Sequence, residues 1–329
     1  MKIVTLLLVF LCYFFQDFVS AQLRIGFYNS SCPNAEFIVK CIVQKKFKNN
    51  PSITAALLRL HFHDCGVRGC DASILIDSDS SKNQTSEKDA GPNFTVRGYE
   101  LIDEIKEKLE SICPSIVSCS DIVTLATRDA VALAKGPKYA VPTGRRDGLV
   151  SDPSKVDLPG PALSVSEILQ FFRTIGLNKN DMVTLLGAHT VGVAHCSFFR
   201  SRISDFRGTG KPDPTMDPEL VTKLFKLCNT SSSPTTLDDV PTTFLDQNTS
   251  FIVDNQFYNQ ILNKKGILKI DQELALDKLS APIVSRFATN GNAFRKSFAK
   301  SMVKMGNINV LVGNDGEIRK NCRVFNNPN

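Results

Sequence analysis

Arg59 and His63 stand four residues apart in the apolar stretch Leu57-Leu58-Arg59-Leu60-His61-Phe62-His63-Asp64-Cys65. On a helix, residues i and i+4 share a face, so the guanidinium and the imidazole would work side by side with Phe62 adjoining. A neutral imidazole can take up and return a proton, and a fixed cation beside it can stabilise charge that develops as a bond breaks. His61 points well away from His63 on such a helix, which disfavours a metal site built on both histidines. Taken alone, however, an Arg-His pair at this spacing is more often surface than catalytic. By the same standard His189, after the Gly187-Ala188 turn, reads as a helix-end residue and Asp271 as a solvated loop acid. The acid-bearing loops at Asp64 to Ser73 and Asp246 to Asp254 read as solvated turns.

The elements that must position these groups are helical. Apolar residues recur at i, i+3 or i+4 over Glu36 to Phe47, Ile53 to His63, Tyr99 to Leu109, Asp121 to Ala134, Ser166 to Ile175, Asp181 to Leu186, Pro282 to Phe287 and Ala293 to Met305. Asn50-Pro51 offers a cap followed by proline at a first helical position, and Gly66 ends that helix soon after Asp64. Loops rich in Ser, Asp, Gly and Pro fall at Asp77 to Asn93, Asp147 to Pro161, Gly208 to Pro218 and Asn229 to Pro234. Strand-like alternation is scarce. The expectation is a mainly α, loop-rich globule.

Residues 1–21 read as an export signal: Lys2 is the basic start, Val4 to Phe15 the apolar stretch, and Val19-Ser20-Ala21 the small-residue cleavage pattern. The stretch is short for a membrane span, no later one is longer, and the mature chain from Gln22 to Asn329 is read as one domain. Ten cysteines include Cys12 in the signal, so nine enter an oxidising compartment, where spacing alone cannot choose the pairing. Five Asn-x-Ser/Thr sequons, at Asn29, Asn83, Asn93, Asn229 and Asn248, fit the same route. The net charge of +6 is spread without a Lys/Arg cluster. That argues against specific nucleic-acid binding and only weakly for anionic surroundings such as wall polysaccharide.

The run Arg59-Leu60-His61-Phe62-His63-Asp64-Cys65-Gly66-Val67-Arg68-Gly69-Cys70-Asp71-Ala72-Ser73 closely resembles the distal haem segment of the secretory (class III) plant peroxidases. Leu185-Leu186-Gly187-Ala188-His189-Thr190-Val191-Gly192 is similar to their proximal segment. Further likeness lies in Glu87 to Asn93, Val117 to Asp121, Gly144 to Asp147, Phe251 to Tyr258, Asp271 to Leu274 and Met305 to Ile308. The matches keep the family order from Cys32 to Cys322. The resemblance implies an all-α haem peroxidase fold with haem b held between a distal and a proximal helical half. It implies an enzyme that reduces hydrogen peroxide to water while oxidising phenolic or other small aromatic donors in one-electron steps.

Carried over residue by residue, the resemblance makes His189 the iron ligand, with Asp271 accepting its other N–H. His63 becomes the acid-base group, Arg59 the charge stabiliser, and Asn93, supported by Glu87, the residue that keeps His63 base-competent. Phe62 packs at the haem, and the Pro159 carbonyl contacts donors. Two calcium sites are implied, one from Asp64, Val67, Gly69, Asp71 and Ser73, the other from Thr190, Asp246, Thr249, Ile252 and Asp254. The implied disulfides are Cys32 to Cys113, Cys65 to Cys70, Cys119 to Cys322 and Cys196 to Cys228. That leaves Cys41, nine residues after Cys32 on an apolar helix, as a buried inert thiol.

Asp121 and Arg145 take the place of a buried structural ion pair, and His195 reads as a bystander on a loop. A monomer secreted to the cell wall or apoplast, or delivered to the vacuole, is expected. The sequence departs from the family pattern at Gly66, where Phe is usual, and at Tyr139, where Trp is frequent. Small residues at Gly91 and Ala162, against Phe198, imply a wider and less apolar mouth near Pro159. Asn93 and Asn248 lie within presumed functional segments and are expected to stay unglycosylated. Two rival readings are a calcium-dependent wall-binding protein on the same fold and a metallohydrolase built on His61, His63 and Asp64.

Overall fold

Side-chain caps decide where several helices begin in the computed structural model, which describes residues 22–82, 84–229 and 240–326. The expected signal segment and the sequon at Asn83 lie outside the described residues. The first half carries α1 (Ala35–Asn49), α2 (Ile53–Cys65), α3 (Tyr99–Glu110) and α4 (Cys119–Leu133). Asn50 Oδ1 accepts from the Ser52 amide (3.1 Å) and hydroxyl (2.6 Å), so the chain turns once through Pro51 before α2 settles into regular helix. Ser118 caps α4 by accepting from the Asp121 amide.

The second half carries α5 (Val165–Thr174), α6 (Lys179–Leu186), α7 (Arg200–Ser204), α8 (Pro218–Cys228), α9 (Gln256–Leu262), α10 (Lys269–Leu276), α11 (Ala281–Thr289) and α12 (Gly291–Met305). Helices α5 and α6 each start with a capping box, Ser164 with Glu167 and Asn178 with Asp181.

The mainly helical fold agrees with the periodicity, and the eight helices read from it begin and end within two residues of their expected bounds. Four helices were not read. Helices α7 and α9, of 5 and 7 residues, are too short to develop a periodic pattern, and α10, though as long as α6, was passed over. Helix α8 did carry a signal, since Asp217 caps the Leu220 amide and Pro218 takes the first position. Among the described residues the one sheet pairs β1 (Val193–His195) antiparallel with β2 (Thr242–Phe244), Val193 opposite Phe244 and His195 opposite Thr242. His195 is therefore the end of a strand and not a loop residue.

Two apolar clusters fill the interior. One joins α1, α3 and α4 through residues such as Val39, Ile102, Ile105, Ile122 and Leu125. The other joins the helices of the second half through Phe172, Met182, Phe257, Phe287 and Phe294. Helix α2 gives Leu57 and Leu60 to the first cluster and Leu58 to the second, so it is the wall between them. It is fixed to α4 by the Thr127 hydroxyl on the Leu57 carbonyl (3.1 Å) and the Thr54 hydroxyl on the Ala130 carbonyl (3.3 Å).

Four disulfides join Cys32–Cys113, Cys65–Cys70, Cys119–Cys322 and Cys196–Cys228. Cys41 is exposed rather than buried, because Val39 and Val43 take the inward positions of α1 and turn residue 41 to solvent. Asp121 and Arg145 form a buried pair at 2.7 Å. Its spare valences are used: Asp121 also accepts from the Tyr28 hydroxyl and the Gly144 amide, and Arg145 donates to the Gly306 carbonyl. Breaking one side of such a pair costs about 3–5 kcal/mol, so its role is structural. At Gly66 a side chain would collide with Leu158 (2.8 Å from an added Cβ), so Leu158 and Phe171 occupy the space a larger residue there would need.

Candidate active site

A cavity of about 510 Å³ opens between the two halves, with Arg59, Phe62 and His63 of α2 on one side and His189 on the other. The short helical turn Gly187–Thr190 that follows α6 places His189 there. His63 Nδ1 lies 2.7 Å from Asn93 Oδ1. The Asn93 amide is oriented by its Nδ2 donating to the Glu87 carbonyl oxygen at 2.7 Å, so Oδ1 can only accept from His63. That fixes the imidazole with its proton on Nδ1 and a lone pair on Nε2.

Burial, then the Arg59 cation, push His63 down to about 3. It is therefore a neutral base over the whole neutral range. Arg59 is pinned at three points: Nε to His63 Nε2 at 3.2 Å, Nη1 to the Thr95 hydroxyl at 2.7 Å and Nη2 to the Pro92 carbonyl at 2.9 Å. A cation held this rigidly needs no rearrangement to meet developing negative charge. Phe62 stacks on Phe172 with ring centroids 6.0 Å apart and completes the apolar wall. Thr95, two residues after Asn93, was not read as a site residue; only its place opposite Arg59 reveals its role.

On the other side His189 Nδ1 meets Asp271 Oδ1 at 2.7 Å, with Asp271 buried in the first turn of α10. Burial would lower the His189 pKa, but the Asp271 charge and hydrogen bond carry it above the ordinary histidine value. With Nδ1 engaged, Nε2 is the nitrogen left for the cavity. Leu185, Ala188, Ile270 and Met302 surround it with hydrocarbon. Pro159 lines the same cavity, on a loop tied to α10 by the Ile270 amide donating to the Pro161 carbonyl at 3.1 Å.

His61 takes no part: it is buried behind α2, held near 3 by burial and Arg145, with Nε2 3.4 Å from the Thr124 hydroxyl. Among the described residues His61, His63 and Asp64 do not converge as a metal-holding group; the cluster that does converge, His61 with Cys65 and Cys70, has both sulfurs spent in a disulfide.

Two oxygen-rich clusters flank the catalytic segments. In the loop closed by Cys65–Cys70, Asp64 Oδ2 accepts from the Ala72 amide, Asp71 Oδ1 from the Ser73 amide, and the Gly69 carbonyl from the Asp71 amide. Val67 lies in the same loop. Asp64 Oδ1 and the Ser73 hydroxyl are buried with no hydrogen-bond partner, as are both carboxylate oxygens of Glu87 nearby. Burial, then the neighbouring Asp71 and Glu87 charges, raise Asp64 well above the usual carboxylate range. Glu87 is pushed up to about 8 by burial and Asp71.

In the second cluster the Thr190 hydroxyl lies 3.2 Å from Asp246 Oδ2, 3.3 Å from Asp254 Oδ1 and 3.4 Å from the Ile252 carbonyl. The Thr249 hydroxyl reaches the same two carboxylates at 3.2 and 3.1 Å. Two hydroxyl protons cannot satisfy all these acceptors, and the oxygens converge as they would around a hard cation.

The likeness to known proteins covers the same ground. A family model described as "Peroxidase" matches residues 39–290. Peroxidase 44 of Arabidopsis thaliana is 55% identical over 328 residues, 99% of this chain and 100% of that protein. The chain belongs to the plant peroxidases. Peroxidase 57 of Arabidopsis thaliana is 55% identical over 306 residues, 93% of each chain, and Peroxidase 5 of Vitis vinifera 45% over 325 residues, 98% of this chain and 96% of that one.

As a plant peroxidase the protein reduces hydrogen peroxide, oxidises small donors and works with a haem-iron cofactor. The cavity fits that cofactor by its chemistry: one free imidazole nitrogen on one side, a neutral base and a fixed cation on the other, and hydrocarbon between. No helix of the described residues is long and apolar enough to cross a membrane. At the mouth, Gly91 lines the cavity and an added Cβ there meets nothing within 4 Å, so that side is open. Ala162 is not part of the lining. The opposite side, where Phe198 stands, is apolar rather than polar, which the residues at 91 and 162 did not foretell.

Proposed function

We propose that this peroxidase is a secreted enzyme that oxidises phenolic and other small aromatic donors, with one haem b ligated by His189 and two bound calcium ions. The observation that carries the reading is the chain Glu87 carbonyl, Asn93, His63, Arg59, which ends where Arg59 Nε meets His63 Nε2 on the cavity side opposite His189. When bound, haem supplies the iron at which the peroxide O–O bond is cleaved and would store the two oxidising equivalents until electrons from two donors consume them. His63 Nε2 takes the proton from one peroxide oxygen and gives it to the other, which leaves as water. Arg59 meets the charge that grows on the departing oxygen. Each donor then yields one electron and one proton, so one peroxide and two donors give two waters and two donor radicals. Pro159 offers its carbonyl to a donor hydroxyl at the mouth.

The test is stoichiometric. Haem-loaded protein given peroxide and guaiacol is expected to consume two guaiacol molecules for each peroxide. Peroxide consumption without guaiacol oxidation overturns the donor class.

The two oxygen clusters support calcium at Asp64, Val67, Gly69, Asp71 and Ser73 and at Thr190, Asp246, Thr249, Ile252 and Asp254. Each lies next to a cavity histidine, since Asp64 follows His63 and Thr190 follows His189. Exhaustive chelation, verified by metal analysis, is expected to lower the melting temperature and to reduce guaiacol turnover in a graded way. Ions that bind only the native state stabilise it by mass action, while the four disulfides still hold the chain together. An unchanged melting curve and unchanged turnover would remove both sites. The amino-terminal signal pattern supports secretion to the wall or apoplast.

A further inference from the structure

Large apolar side chains left in solvent are ordinary when scattered, and informative when they adjoin one another at a site. Among the described residues, only four of the exposed large apolar side chains line the cavity: Val193 (40% exposed), Phe198 (46%), Phe244 (39%) and Phe251 (43%). They form one shelf. Val193 and Phe244 are directly opposed in the two-stranded sheet, so their side chains leave the same face. Phe251 packs edge-on against Phe244 with centroids 5.4 Å apart, and Phe198 continues the surface beyond His195 at 6.5 Å.

The shelf is rigidly referenced to the active site. Strand β1 starts four residues after His189, and the Leu245 amide donates to the Gly192 carbonyl at 3.1 Å. Phe251 sits between Thr249 and Ile252 of the second oxygen cluster.

We propose that the Val193, Phe198, Phe244 and Phe251 shelf binds the second ring of donors built from two linked phenolic rings, while the first ring is oxidised at the cavity mouth. The inference rests on the phenolic reading above and adds the size class of the donor. Its occupant is aromatic because the shelf offers ring faces and edges at the spacing of edge-to-face pairs, and no ionic partner among its four residues. It is a donor rather than a separate partner because the shelf runs without a break into the lining of the cavity that holds His63 and His189.

The experiment compares two donors that share one phenolic head, guaiacol and guaiacylglycerol-β-guaiacyl ether, in the haem-loaded native enzyme and in Phe244→Ala, Phe251→Ala and Phe244→Leu. Loss of one ring contact should raise KM and the dissociation constant for the two-ring ether about three- to tenfold. Its kcat and the KM for guaiacol should stay within twofold. Phe244→Leu keeps an apolar side chain and the fold, so it isolates the ring, and metal content checks that the Phe251 variant retains its neighbouring cluster. Equal shifts for both donors, or none for the ether, overturn the shelf. If the native enzyme oxidises neither donor, the phenolic reading itself falls and takes the shelf with it, so the two failures are distinct.

Discussion

Replacing His63 with Ala leaves haem binding intact and slows peroxide reduction by about two to four orders of magnitude, the usual contribution of a positioned acid-base group. The residue ligates nothing in this arrangement. Its Nδ1 is committed to Asn93, its Nε2 accepts from Arg59 at the cavity wall, and its neutrality is enforced by burial and by Arg59. The alanine variant keeps Arg59 held by Thr95 and Pro92, so electrostatic stabilisation persists and the loss stays below that of removing the whole site. The measurement is the bimolecular rate of peroxide reduction by haem-loaded protein in a stopped-flow instrument. A rate within tenfold of the native one would take the proton-transfer role away from His63.

His189→Ala, by contrast, is expected to abolish stable haem retention, read as loss of haem absorbance after gel filtration. The imidazole there is prepared as a ligand. Asp271 holds its Nδ1, fixes the ring and makes Nε2 more basic. Asp271→Asn should keep haem bound but weaken it, because the ring stays oriented while the charge is lost; the two variants together separate ligation from tuning. Full haem retention by His189→Ala through gel filtration would exclude it as the iron ligand.

Much of this was legible in the chain, and for identifiable reasons. Eight helices of 8 to 15 residues announced themselves because amphipathic periodicity needs two or more turns to register, whereas α8, with 11 residues, was passed over despite its cap. The pairing of Arg59 with His63 was legible because helical spacing alone puts them on one face. His189 and Asp271 were not legible from local chemistry. They are 82 residues apart, and only the folded chain brings them to 2.7 Å. The resemblance to a family supplied that pairing; spacing could not. The shelf was missed because Val193 and Phe244 meet through strand pairing across a connection of some fifty residues, and three-residue strands leave almost no alternation to read. Cys41 was misplaced because an apolar neighbourhood in sequence does not say which way a helix faces.

The Cys119–Cys322 bond also bears on how the molecule is made. It fastens the last part of the chain to the start of α4, and Arg319 reinforces the join by donating to the carbonyls of Ala72 and Gly148. The cluster that includes α1, α3 and α4 therefore takes Cys322 into its own interior, although some 180 residues of the other half intervene. During synthesis, when amino-terminal segments emerge first, this half must wait for the final residues before its core is sealed. The half made last can close upon itself at once.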